Sequence, residues 1–213
     1  MLSMIFYAIL CLLLFHKAKI ASITTVNIDF LSPESTKNLQ GVAALGVILH
    51  HISQTEIISS INQIQIFRNM GFLFVGLFFF ISGFGLYKSY NMKLNYLDNF
   101  IRRRILPIII CFYITNVFYF IQDYFFLRNI NYSVLERFCR VAGIFLINPG
   151  SWYIPVIVIM YFSFYFTFKK IKSEKFRFVC IFIVIFLQII FHLFVIKNVH
   201  LKNFEVWYKM NGG

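Results

Sequence analysis

Charge is scarce in this chain. Asp, Glu, Lys and Arg together make up 13% of its 213 residues, against roughly 25% in an average soluble domain. A water-soluble fold of this length needs more charge on its surface, so a soluble globular domain is excluded. Cysteine is sparse as well. Cys11, Cys111, Cys139 and Cys180 fall singly in or near apolar segments, with no Cys-x-x-Cys and no metal-ligand spacing. That removes zinc and dithiol chemistry, so no metal is expected, and reads the cysteines as small buried hydrophobes. No internal repeat is visible, and no low-complexity tract beyond richness in Phe.

What the chain has instead is apolar bulk. Hydrophobic residues make up 60% and aromatics 20%, with 29 Phe. The bilayer is the expected solvent, and the expected fold is all-α, a polytopic transmembrane helix bundle of about five to six spans. The net charge of +12 does not argue for nucleic acid, because the basic residues sit beside hydrophobic segments rather than along a soluble face.

Residues 1–19 read as an N-terminal hydrophobic anchor or span. The stretch has no basic leading region and no small-residue cleavage site, which argues against a cleaved signal peptide. Residues 20–36 form a polar connection whose end, Ser32-Pro33-Glu34-Ser35-Thr36, predicts a turn with Ser or Thr capping the next helix. Spans are expected at about 38–56, 70–90, 104–125, 152–168 and 177–197, each near the length that crosses roughly 30 Å of hydrocarbon. Val141–Ile147 is too short to cross and predicts a re-entrant or interfacial helix before Asn148-Pro149-Gly150. Residues 198–213 form a short polar tail. Lys88, Lys93 and Arg102–Arg104 flank one connection and Lys169–Arg177 fill another, so both are expected on the cytoplasmic side.

The first segment that can carry chemistry runs from Leu39 to Ile52 and brings His50 and His51 to the far end of an apolar helix. An ionisable side chain inside a membrane span is expensive to keep and marks a functional site by default. On a 3.6-residue helix Gln40 falls within about 20° of His51 and Lys37 within about 40°, whereas His50 points about 100° away. Packing of the histidines at the outer interface, bonded to a carbonyl, is the competing reading. Ser82, in a Phe-rich span punctuated by glycines, either opens a groove beside His51 or permits tight helix contact. Arg102, Arg103 and Arg104 suit phosphate recognition and equally a positive-inside stop. Trp152 and Tyr153 open a span at headgroup depth. Asn116, Gln188 and His192 lie within later spans as candidate interhelical hydrogen-bond partners.

Over about residues 36–168 these segments resemble the membrane acyltransferase-3 family, the O-acyltransferases of surface glycans. Leu39-Gln40-Gly41 precedes His51 at the family's spacing. Phe79-Phe80-Ile81-Ser82-Gly83-Phe84, Arg104-Ile105-Leu106-Pro107 and Trp152-Tyr153 to Tyr161 follow in the family's order. The resemblance implies transfer of an acyl group, typically acetyl, from cytoplasmic acyl-coenzyme A to a hydroxyl of a carbohydrate or glycolipid acceptor. His51 would be the general base, and Arg102–Arg104, with Lys37, would meet the coenzyme's phosphates. It implies acyl-CoA as co-substrate with no permanently bound cofactor, a multi-pass protein of the inner or plasma membrane, and no nucleic-acid partner. Two positions depart from the pattern. Gln40 stands where the family has Arg, and Ile101 stands where the first of its paired arginines is expected. Family members carry more spans than this chain, so a truncated or inactive form, or a non-catalytic membrane subunit or transporter-like protein, is the alternative expectation.

Overall fold

The computed structural model describes residues 31–55, 64–122, 133–143 and 146–197, with the isolated positions 5, 8, 9, 12 and 125. Most of the expected N-terminal anchor and the polar tail lie outside the described residues. Six α-helices follow in order: α1 Pro33–Ser53, α2 Gly71–Met92, α3 Leu106–Gln122, α4 Val134–Val141, α5 Tyr153–Lys170 and α6 Glu174–Lys197. No strand occurs among the described residues, so the all-α expectation holds.

Helix α1 begins where the sequence places its cap. Ser32 is extended and its Oγ accepts the Ser35 amide at 3.2 Å, Pro33 takes the first turn and Glu34 faces the positive end of the helix dipole. The helix starts earlier than the expected span because this polar cap lies ahead of the apolar run. Helix α3 is preceded by one π-helical turn, Ile101–Ile105, which continues into it. Together they form a 22-residue apolar segment, Ile101–Gln122, and this segment and Gly71–Met92 are long and apolar enough to cross a membrane. Only 22% of the α2 window and 17% of the α3 window is buried. That is the reverse of a soluble protein's core helix, and it fits chains whose apolar surface faces lipid. Along α3 the exposed residues Ile110, Ile114, Val117, Phe118 and Ile121 recur at helical spacing on one outward side.

The chain divides into two compact units, one within Met1–Tyr87 and one within Lys88–Lys209. In the first, α1 and α2 approach closely at Gly46, where a Cβ would come within 2.5 Å of the Phe74 ring. Gly41, Gly76, Gly83 and Gly85 face open space, so of the glycines along this stretch Gly46 and Gly71 are the ones at close contacts.

The second unit has an aromatic core. Phe100, 1% exposed, places its ring 6.0 Å from Tyr161, 5.7 Å from Phe164 and 5.8 Å from Tyr165. Phe164 stacks on Phe168 at 4.1 Å, and Tyr90 meets Phe168 edge-on at 4.9 Å. Arg177 closes this end. Its Nε donates to the Ile171 carbonyl at 2.6 Å while its guanidinium lies 4.9 Å from the Phe168 ring and 5.3 Å from Tyr90.

Three expectations need correction. The short helix lies at Val134–Val141 rather than 141–147. It is capped by Ser133, whose Oγ accepts the Glu136 amide at 3.2 Å, and it carries a Glu136–Arg140 pair at 3.2 Å. This helix is amphipathic rather than evenly apolar, so a search for apolar runs passes over it. Cys111 is exposed rather than buried, on a helix most of whose apolar surface is uncovered. Gln188 does bond between helices, its Nε2 reaching Met160 Sδ at 3.9 Å, but Asn116 Nδ2 has no hydrogen-bond partner among the described residues. The His192 side chain is outside the described residues.

Candidate functional site

The two histidines at the end of α1 have different surroundings although they are adjacent, their rings 5.3 Å apart. His50 is 7% exposed, and its Nδ1 lies 3.0 Å from the Phe67 carbonyl. A carbonyl only accepts, so Nδ1 carries the proton and donates. The ring also lies against the first residue of α2. A Cβ on Gly71 would come within 2.5 Å of His50 Nε2. The short 3-10 turn Gln65–Phe67 thus delivers the carbonyl, and glycine at 71 makes room for the ring.

His51 is exposed, and its side chain hydrogen-bonds with Gln54, one turn on. Ser53 behind it is fully buried and bonds back to the His50 carbonyl at 2.6 Å. Such bonding is common where a Ser ends a helix. The pair therefore comprises one imidazole locked by backbone and one open to a ligand. The sequence separated the two by angle; it did not show that a carbonyl seventeen residues away would hold His50.

The other site candidates take their places within each unit. Lys37 is exposed and Gln40 half-buried in α1, on the side of the helix that His51 occupies. Ser82 is half-buried in α2 and engaged with neighbours. In the second unit Arg102, Arg103 and Arg104 fill the π-helical turn, all three exposed, between buried Phe100 and Ile105. The wide turn, a geometry frequent at functional sites, carries its three arginines outward while Phe100 before it and Ile105 at its end stay buried. None of the three has a side-chain partner among the described residues, which leaves their planar forks available for an anion. Trp152 precedes α5 in helical conformation and gives it no side-chain cap. Among the described residues no group of three or more His, Cys, Asp or Glu could hold a metal ion.

An exposed imidazole stands beside a locked one in the first unit, and the second unit carries three exposed arginines with no side-chain partner among the described residues. No curated protein and no solved structure matches this chain. A model of the acyltransferase domain matches residues 35–211, which takes in all of α2 to α6 and all but the first two residues of α1. The chain belongs to the membrane acyltransferase-3 family and is an acyltransferase.

Proposed function

We propose that the protein moves an acyl group, acetyl in the simplest case, from cytoplasmic acyl-coenzyme A to a hydroxyl of a cell-surface carbohydrate or glycolipid, with His51 as general base. The observation that carries this reading is the asymmetry of the histidine pair. Neutral His51 is open to take the hydroxyl proton as the oxygen attacks the thioester carbon, whereas His50 is held by Phe67. The C–O bond forms, the C–S bond breaks, and the proton on the imidazolium passes to the departing thiolate, leaving an ester and free coenzyme A. Arg102, Arg103 and Arg104, with Lys37, supply charge for the coenzyme's phosphates. The protein is placed in the inner or plasma membrane as a multi-pass chain with its Lys- and Arg-rich connections on the cytoplasmic side.

The test is the release of coenzyme A thiol from acetyl-CoA, with transfer to a glycan acceptor, by the full chain in proteoliposomes. His51→Ala is expected to remove activity by a factor of about 10² to 10⁴; a His51→Ala protein with the full rate ends the assignment. Base catalysis needs the neutral ring, so the rate also falls as pH drops through the range in which imidazoles protonate. A second reading, a non-catalytic membrane component, is favoured by Gln40 at the position where the family carries Arg. It requires that acyl-CoA neither bind nor protect the chain.

A further inference from the structure

Helix α6 is held to its unit by one side. Gln188, whose Nε2 reaches Met160 of α5, and Arg177, which bonds the Ile171 carbonyl and faces the Phe168 and Tyr90 rings, mark that side. On a 3.6-residue helix both lie about 140–160° around the axis from Lys175. The side that carries Lys175 is exposed and apolar. Val179, Phe182, Ile183, Ile185, Phe186 and Ile189 are exposed there and line a groove of about 500 Å³. All six lie within about 80° of Lys175 around the axis, and Phe182 and Phe186 within about 20°. Lys175 therefore stands at the head of the groove, about 6 Å along the helix from Val179. The groove runs about 15 Å from Val179 to Ile189, which is half of the roughly 30 Å of hydrocarbon in a bilayer and so the depth of one leaflet. Between Arg177 and Lys197 the helix carries no Lys, Arg, Asp or Glu, as a lipid-facing stretch requires.

The cations at this end of the unit are not equivalent. Lys169 Nζ donates to Tyr165 Oη at 2.9 Å, Lys170 Nζ lies 6.0 Å from the centre of the Phe166 ring, and Arg177 is engaged with Ile171 and two rings. Lys172, just before α6, and Lys175, in its first turn, are exposed and have no side-chain partner among the described residues. The acid of this connection, Glu174, is engaged with a neighbour and lies about 100° around the helix from Lys175. Two ammonium groups thus stand at one end of a groove lined by apolar side chains. A nucleotide or a free phosphate would use the lysines and leave the groove empty. A neutral lipid would fill the groove and leave the lysines without a counter-charge. A phospholipid with a net negative headgroup matches both parts, with its phosphate at the lysines and a hydrocarbon chain below them.

We propose that α6, as a membrane span, holds one anionic phospholipid, its headgroup at Lys175 and Lys172 and one acyl chain in the groove from Val179 to Ile189. The site uses none of the residues assigned to acyl transfer. It stands or falls separately from that assignment.

The experiment measures lipid bound to the full chain in detergent by native mass spectrometry, with phosphatidylglycerol and phosphatidylcholine of equal chain length as probes. Wild type is expected to bind its first phosphatidylglycerol at least about tenfold tighter than phosphatidylcholine, since each lysine near an anionic headgroup contributes about fivefold. Lys175→Gln should lower the affinity for phosphatidylglycerol about fivefold and leave that for phosphatidylcholine unchanged. Phe186→Ser should weaken both lipids alike, because the chain contact is common to them. Lys93→Gln, which removes an exposed charge from a different connection, should change neither. The three replaced side chains are exposed, so none of these variants opens the core. Equal affinity of wild type for the two lipids, a loss in Lys93→Gln as large as that in Lys175→Gln, or unchanged binding by Phe186→Ser overturns the proposal.

Discussion

His50 Nδ1 lies 3.0 Å from the backbone oxygen of Phe67, a contact that holds the first of two adjacent histidines while the second stays exposed. His50→Ala is expected to destabilise the protein by about 2–3 kcal/mol, through loss of a buried ring and its hydrogen bond. His51→Ala is expected to leave the unfolding midpoint unchanged while abolishing transfer. Thermal unfolding in detergent, measured beside the activity assay, separates the two effects. If His50→Ala unfolds at the wild-type midpoint, the lock does not exist.

Glycines along the first unit divide by what faces them. Gly71→Ala drives a methyl into the His50 ring and Gly46→Ala drives one into Phe74; each is expected to cost about 1–3 kcal/mol. Gly41→Ala and Gly83→Ala meet open space and are expected to be neutral or to stabilise by up to about 1 kcal/mol through helix propensity. The same unfolding measurement on the four variants checks the order. A Gly41→Ala protein as unstable as Gly71→Ala would mean that packing at this helix extends beyond the contacts found.

Much of the first unit was legible in the chain itself. Ser32-Pro33-Glu34 specifies a helix start by local chemistry alone, and the apolar run up to His50 and His51 marks a candidate site because polar groups in hydrocarbon are rare. The difference between the histidines was not legible, because it depends on a carbonyl in a separate turn. The short helix Val134–Val141 was misplaced for a related reason. Helix α4 is half polar, so apolar run length gives no sign of it, and its position against Phe112 is a tertiary fact. Asn116 showed only as a polar residue within a span; that its Nδ2 has no partner among the described residues is a matter of geometry.

Arg177 joins three elements with one side chain, bonding the Ile171 carbonyl and lying against both Phe168 and Tyr90. Arg177→Ala is expected to cost about 1–2 kcal/mol. Arg177→Lys should recover little of that, because an ammonium lacks the flat face that covers two rings and the Nε that meets the carbonyl. Limited proteolysis between α5 and α6 gives the readout, with faster cleavage expected in both variants. Full protection in the Lys variant would show that charge alone is sufficient.

The arginines of the π-helical turn provide the sharpest check on the donor. Arg102, Arg103 and Arg104 are exposed and have no side-chain partner among the described residues, so replacing them with Gln removes charge without removing a structural contact. Stability should stay within about 0.5 kcal/mol of wild type. Affinity for coenzyme A should fall about tenfold for each arginine that meets a phosphate, since a hydrogen bond to a charged group contributes about 1.5–3 kcal/mol. The loss should shrink as salt is raised, because exposed charges are screened over about 10 Å at 0.1 M. Comparing coenzyme A with its 3′-dephospho form then identifies the phosphate involved. A variant that loses affinity for the full coenzyme but not for the dephospho form places that arginine at the 3′-phosphate, and equal losses place it at the diphosphate. Unchanged affinity in all three variants would mean that these residues only set the orientation of the chain in the membrane.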